Sequence, residues 1–143
     1  MDTSILVENP RGASTRITLR PELGLIEFDA TGLVTLDMLR QNLAAAESLP
    51  GFRADYARLN IFGPLARMGD ISPDELAGAQ AVIADFNARN EVSAPVRSAW
   101  VVPAELARPI AQFWALGNSG SEHVMAAAFE TREAALAWLA ETG

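Results

Sequence analysis

Near the start of the chain, apolar and polar residues alternate twice. Over Thr15–Arg20, Ile17 and Leu19 fall on one side and Arg16, Thr18 and Arg20 on the other, the period-two spacing of a half-exposed strand. Pro21-Glu22-Leu23-Gly24 carries a turn signal. Leu25–Asp29 then sets Ile26 and Phe28 on one side, so the two runs predict an antiparallel hairpin. After the hairpin the spacing lengthens. Leu36, Leu39, Leu43 and Ala46 recur at helical intervals, with Thr35 placed to cap the helix, Asp37 in its first turn and Pro50-Gly51 to stop it. Tyr56–Phe62 is the next predicted strand, and a long loop runs from Gly63 to Ile71.

A second helix opens at Ser72-Pro73-Asp74-Glu75, which combines a capping serine, a proline at the first helical position, an acid in the first turn and a glutamate at the capping-box position. Its buried stripe is Leu76, Ala79, Ile83 and Phe86. Val96–Val102 reads as a strand deeper in the sheet, because it holds consecutive apolar residues. A third helix is expected from Pro103, with Leu106, Ile110, Phe113 and Trp114 on its apolar face, a kink or break at Pro109, and an end at Gly117-Asn118-Ser119-Gly120. Val124–Phe129 is the last strand. Thr131 caps the last helix, whose apolar residues are Ala135, Leu136, Trp138 and Leu139. The order ββαβαβαβα predicts an α/β fold: a mixed, mainly parallel sheet with an N-terminal antiparallel hairpin and about four helices, joined by right-handed crossovers. Residues 1–14 form an arm ending in the Asn9-Pro10-Arg11-Gly12 turn signal, with a short strand at Ile5–Val7 left open. Residues 15–143 form one domain.

Composition narrows the chemistry. The chain has 143 residues and no cysteine, which excludes disulfides, thiolate nucleophiles and zinc ribbons. All 11 basic residues are arginine, so no Schiff-base or phosphate-loop lysine exists. The net charge is −7 and the arginines are scattered, so neither nucleic acid nor an anionic membrane surface is an expected partner. The N-terminus has an acid where a signal peptide needs a base, and no apolar run has membrane-spanning length. The expected location is therefore the cytoplasm, without stable membrane insertion.

Few residues carry a chemical signal. His123 stands alone beside Glu122, with no HxH or HExxH pattern, and reads as a strand-edge or loop histidine. Asp70, Asp74 and Glu75, with Asp55, fit no calcium-loop spacing, and acids in a first helical turn are explained by the helix dipole. The turn at Gly32 lacks the glycine pattern of a nucleotide loop. Ser72 has two readings, as a helix cap or as a phosphorylation site. Trp100, Trp114 and Trp138 each lie on or beside an apolar stripe, and the Phe113–Trp114 region spreads apolar groups wider than one stripe. An enzyme would have to work with carboxylates, arginines, Tyr56 and one histidine. A non-catalytic protein, with no cofactor and no metal, is the expectation.

Several phrases together resemble the bacterial SpoIIAA-like family, the STAS/SEC14-type domains. They are Gly32-Leu33-Val34-Thr35, Tyr56-Ala57-Arg58-Leu59-Asn60, Asp70-Ile71-Ser72-Pro73-Asp74-Glu75-Leu76, Ser98-Ala99-Trp100-Val101-Val102, and the run from Phe129 to Leu139. The resemblance covers about residues 15–141. It implies a βα superhelix and a mostly uncharacterised, non-enzymatic membership. It also places the regulated serine of signalling members near Ser72, although the adjacent Asp, Ser and Gly of that motif are not present and Asn60 stands where many relatives have Asp.

Three functions remain open from the sequence. The preferred one is an interaction module, expected as a homodimer, that uses an apolar surface such as Phe113 and Trp114. The second is a small hydrophobic-ligand or lipid binder, with a cleft at the carboxyl ends of the parallel strands lined by Phe62, Leu65, Met68 and Trp100. The third is a partner switch phosphorylated at Ser72.

Overall fold

The computed structural model describes residues 2–8, 12–63, 67–68, 73–92, 96–103 and 124–141. Its main element is a six-stranded sheet in the order β1-β2-β3-β5-β7-β8. Here β1 is Thr3–Glu8, β2 Ser14–Arg20, β3 Leu25–Thr31, β5 Ala57–Phe62, β7 Val96–Val101 and β8 Val124–Phe129. The first three strands pair antiparallel and the remainder parallel, so the sheet is mixed. Residues 3–8 of the expected arm form a full edge strand, in register from Thr3 opposite Leu19 to Glu8 opposite Ser14.

The β2–β3 hairpin forms as the alternation predicts. Ile17 faces Phe28 and Leu19 faces Ile26, so the apolar members of both strands share one side. Its turn is a single 3-10 turn, Pro21–Leu23, closed by the Gly24 amide donating to the Pro21 carbonyl at 3.1 Å. Beyond β3 the chain turns at Gly32, whose φ is +84°. A Cβ there would stand 2.8 Å from the Ala13 Cα, so both the conformation and the space demand glycine.

Three helices are described, fewer than the four expected. They are α1 (Leu36–Ser48), α2 (Pro73–Arg89) and α3 (Arg132–Ala140). The helix expected from Pro103, with Phe113 and Trp114, lies outside the described residues. Thr35 and Thr131 cap α1 and α3, each hydroxyl accepting from the backbone amide three residues on, Met38 and Ala134. A feature that the hydrophobic pattern does not foretell is a small parallel pair, β4 (Leu33–Val34) with β6 (Arg67–Met68). The β6 segment falls inside the expected Gly63–Ile71 loop.

The sheet divides two cores. On one face, α1 and α2 cover Ile17, Leu19, Ile26 and Phe28 with Leu43, Ala46 and Phe86. Phe86 is fully buried and meets the edge of Phe52, ring centroids 5.9 Å apart. On the other face, α3 lays Ala135, Leu136, Trp138 and Leu139 against Leu25, Leu59, Ala99 and Val101. Burying each large apolar side chain contributes about 1.5–3 kcal/mol, so the central strands are held from both sides. In such strands both faces are ordinarily apolar. Here β3 and β5 depart from that rule, one on each face, and the departures define the chemistry of the molecule.

Candidate functional site

Strand β5 directs Leu59 and Ile61 toward α3, and Arg58, Asn60 and Phe62 toward α1 and α2. Strand β7 pairs beside it with Ser98 opposite Arg58 and Trp100 opposite Asn60, which puts four polar or amphipathic side chains on one floor. Above this floor is a cavity of about 70 Å³. Its roof comes from Leu39, Asn42 and Leu43, one turn of α1, and from Ile83 of α2. Phe28 and Ala30 of β3 close one wall. Phe62 and Trp100 close another, their rings perpendicular with centroids 5.7 Å apart.

The polar groups of this cavity are mostly tied to protein. The Asn60 amide donates to the Ser98 hydroxyl at 3.1 Å and to the Ala99 carbonyl at 3.3 Å. The Asn42 amide donates to the Thr15 hydroxyl at 3.1 Å, and its own buried carbonyl oxygen has no hydrogen-bond partner among the described residues.

Arg58 is the exception. Only 6% of it is exposed. Nη2 donates to Asn87 Oδ1 at 2.8 Å and to the Ala54 carbonyl at 3.4 Å, and the guanidinium stands over the Phe86 ring, 5.1 Å from its centroid. All three contacts are with neutral groups. Nε is buried and has no partner among the described residues. Burial pulls the guanidinium down to about 10, which leaves it a cation at neutral pH.

The opposite face holds the mirror case. Glu27 of β3 is 4% exposed. Arg132, at the start of α3, donates to its Oε1, and Arg20 of β2 donates to Oε2 at 3.1 Å. Arg20 also reaches Asp2 at 2.8 Å. Burial works to raise the Glu27 carboxyl, but the hydrogen bonds from Arg132 and Arg20 outweigh it and hold the group below the ordinary carboxylate range. Asp29, two residues on along the same face, is pushed up by burial and then by the charge of Glu27 and a hydrogen bond with it. Both Glu27 oxygens are occupied, so this cluster works as a clasp between the sheet and α3. Arg97 completes the clasp at the other end of the helix, donating to the Trp138 carbonyl at 2.7 Å and lying 5.0 Å from the centroid of the Trp138 ring.

Among the residues singled out from sequence, Phe62 and Trp100 meet at the cavity wall. Met68 lies on β6, paired through its backbone with Val34. Leu65, Ser72, Phe113, Trp114, Asp70 and His123 lie outside the described residues. Asp55 is engaged on the surface by Arg53 at 2.9 Å. Among the described residues no group of three metal-ligating side chains converges, and no helix is long and apolar enough to cross a membrane. The residue that sequence reasoning passed over is Arg58. Its signal was present: Arg58 and Asn60 occupy alternate positions of a central strand, where the rule for parallel sheets expects apolar groups.

No protein-family model, curated protein or solved structure matches the chain.

Proposed function

We propose that this chain is a non-catalytic, cytoplasmic binding domain whose ligand is a small molecule seated between α1, α2 and the central strands. One observation carries the reading. A cavity walled by Phe28, Leu39, Ile83 and Phe62 has a floor of fixed polar groups at Arg58, Asn60 and Ser98. Apolar walls with a few placed polar groups are the usual composition of a small-ligand site. The position near the carboxyl ends of β5 and β7, where Phe62 and Trp100 stand, fits the habit of open parallel sheets. The resemblance to the SpoIIAA-like family belongs to this proposal, supported by the quoted phrases and by a mixed sheet that begins antiparallel and continues parallel.

Amide NMR of the whole chain, titrated with a set of small alcohols, amides and acids, tests the reading. The expected result is saturable shifts at Asn42, Asn60 and Trp100 for at least one class, abolished by Ala30→Leu, which fills the cavity. Shifts absent from these residues for every class would overturn it.

A second reading, self-association, is favoured at a different place. The outer edge of β1 has no neighbour in the described sheet, and Ile5 and Leu6 on it are 36% and 44% exposed. Light scattering on the wild type and on Leu6→Lys checks it. A dimer lost in the variant supports pairing at this edge, and a monomeric wild type at high concentration removes it.

A further inference from the structure

Arg58 restricts what the cavity can accept. Arg20, Arg40, Arg53, Arg89, Arg97 and Arg132 each reach a carboxylate. Arg58 is the most deeply buried arginine described, and it forms no ion pair among the described residues. Acids are not scarce, since the chain carries 18 of them. A buried cation with neutral acceptors alone is an incomplete arrangement, because neither the amide of Asn87 nor a backbone carbonyl replaces the charge of a counter-ion.

We propose that the ligand is a small monocarboxylic acid, its carboxylate paired with the Arg58 guanidinium and its short apolar body lying against Phe28, Leu39, Ile83 and Phe62. The proposal rests on reading the cavity as a ligand site. Three features select this chemistry. The lining described has one cation and no acid, so one negative charge is matched and the two of a phosphate are not. The guanidinium is planar and suits a planar carboxylate. The remaining polar lining, Asn42, Asn60 and Ser98, is neutral and can complete the hydrogen bonding of a charged oxygen without adding charge.

Size narrows the class further. The cavity of about 70 Å³ is roughly half of the ~150 Å³ that houses a benzene in an engineered apolar cavity. By that scale the enclosed space takes roughly three non-hydrogen atoms, the carboxylate group itself. The cavity is partly open to solvent, so the chain of an acid of roughly three to five carbons extends along its mouth.

The test is a titration of this 143-residue chain with sodium propionate, butyrate and valerate, against 1-butanol and sodium chloride at matched ionic strength, followed by amide NMR. Wild type, Arg58→Met and Ala30→Leu are compared. Butyrate is expected to saturate the cavity signals, and its affinity to fall at least tenfold in both variants. Binding of 1-butanol should be weaker and should not fall in Arg58→Met. Equal binding of butyrate and 1-butanol, indifferent to Arg58→Met, would overturn the carboxylate assignment and leave the ligand site standing. Chloride reproducing the butyrate shifts would also overturn it, as an inorganic anion site only. No binding of acid or alcohol to the wild type would remove both. If circular dichroism shows Arg58→Met to be unfolded, Arg58→Lys replaces it. Lysine keeps the charge without the planar fork, so butyrate affinity should fall between wild type and Ala30→Leu; an affinity equal to that of 1-butanol would count against the pair.

Discussion

The two faces of the sheet each bury one ionised side chain, from adjacent strands, and they treat it in opposite ways. On the α3 face, Glu27 is flanked by Arg132 and Arg20, with both carboxylate oxygens occupied. On the α1/α2 face, Arg58 has only Asn87, a backbone carbonyl and an aromatic ring. A buried ion is tolerated when its partner is present and becomes a liability when it is not. Glu27 therefore reads as part of the scaffold, holding α3 to β3. Arg58 carries a charge that the described fold does not complete, and it does so at the wall of a cavity. On the proposed reading, the difference separates a residue kept for stability from one kept for binding.

The largest expected effect tests the first half of that contrast. Glu27→Gln should lower the unfolding free energy by about 2–3 kcal/mol, read by urea denaturation at pH 7, because two charge-assisted hydrogen bonds are lost. The loss stays below that of a fully buried pair, since Arg132 and Arg20 have side-chain exposures of 44% and 28% and regain water. A loss under about 0.5 kcal/mol would break the claim that this cluster holds α3.

Arg58→Met should have a smaller effect, about 1 kcal/mol, caused mainly by leaving the Asn87 carbonyl without its donor. The sign of its pH dependence is distinctive. The folded value of Arg58, about 10, lies below that of an exposed arginine, so above pH 10 the unfolded chain holds a proton that the folded chain has lost. Stability from this site should rise as pH climbs above 10, in a window where the chain has no lysine to titrate. The deficit that the wild type owes to its buried cation should shrink there, and Arg58→Met should lack that change. An identical alkaline profile in the two proteins would contradict the burial of the charge.

The two caps sharpen the comparison with a like-for-like control. Thr35→Ala and Thr131→Ala remove the same hydrogen bond from α1 and α3. Each should cost about 1 kcal/mol in thermal or urea unfolding. The α1 cap change should weaken ligand binding as well, since Leu39, Asn42 and Leu43 roof the cavity, whereas the α3 cap change should not.

The smallest effect concerns Asp29. Its carboxyl is raised, so it stabilises the fold only while protonated, below its ordinary 3.8, and loses that contribution as pH rises through its folded value. Asp29→Asn should therefore gain roughly 0.5 kcal/mol at pH 7. Glu27 behaves oppositely. Its stabilisation is present above its ordinary 4.5 and disappears as pH falls through the lowered folded value. An acid titration of Asp29→Asn followed by circular dichroism distinguishes the two carboxyls.

What could be read from the chain alone was local. Period-two alternation gave the hairpin, with Ile17 opposite Phe28, and the bounds of β8 were legible as Val124–Phe129. Thr35 and Thr131 were recognisable caps because a cap acts on an amide three residues away. The charged residues were not legible in the same way. In the alternation, Glu27 occupies the polar side of its strand, and only α3, whose Arg132 lies 105 residues further on, buries it. Arg58 takes its meaning from Asn87, 29 residues away, and from the roof that α1 and α2 build. Of the cleft lining expected from sequence, Phe62 and Trp100 stand at the cavity, and Leu65 lies outside the described residues. The roof from α1 was not foreseen, because Leu39 and Leu43 read equally well as ordinary core. The pairing of β4 with β6 rests on two-residue segments that carry no periodic signal.

The most direct measurement is the stability of the double variant Arg58→Met/Asn87→Leu, by urea denaturation at pH 7 without ligand. It replaces the buried cation and its amide partner together by apolar groups, so no donor or acceptor of the pair is left behind. If Arg58 is retained for binding, the double variant should be at least as stable as the wild type. A loss of about 3 kcal/mol or more would show that Arg58 is a structural strut, as Glu27 is, and would contradict the division of labour between the two faces.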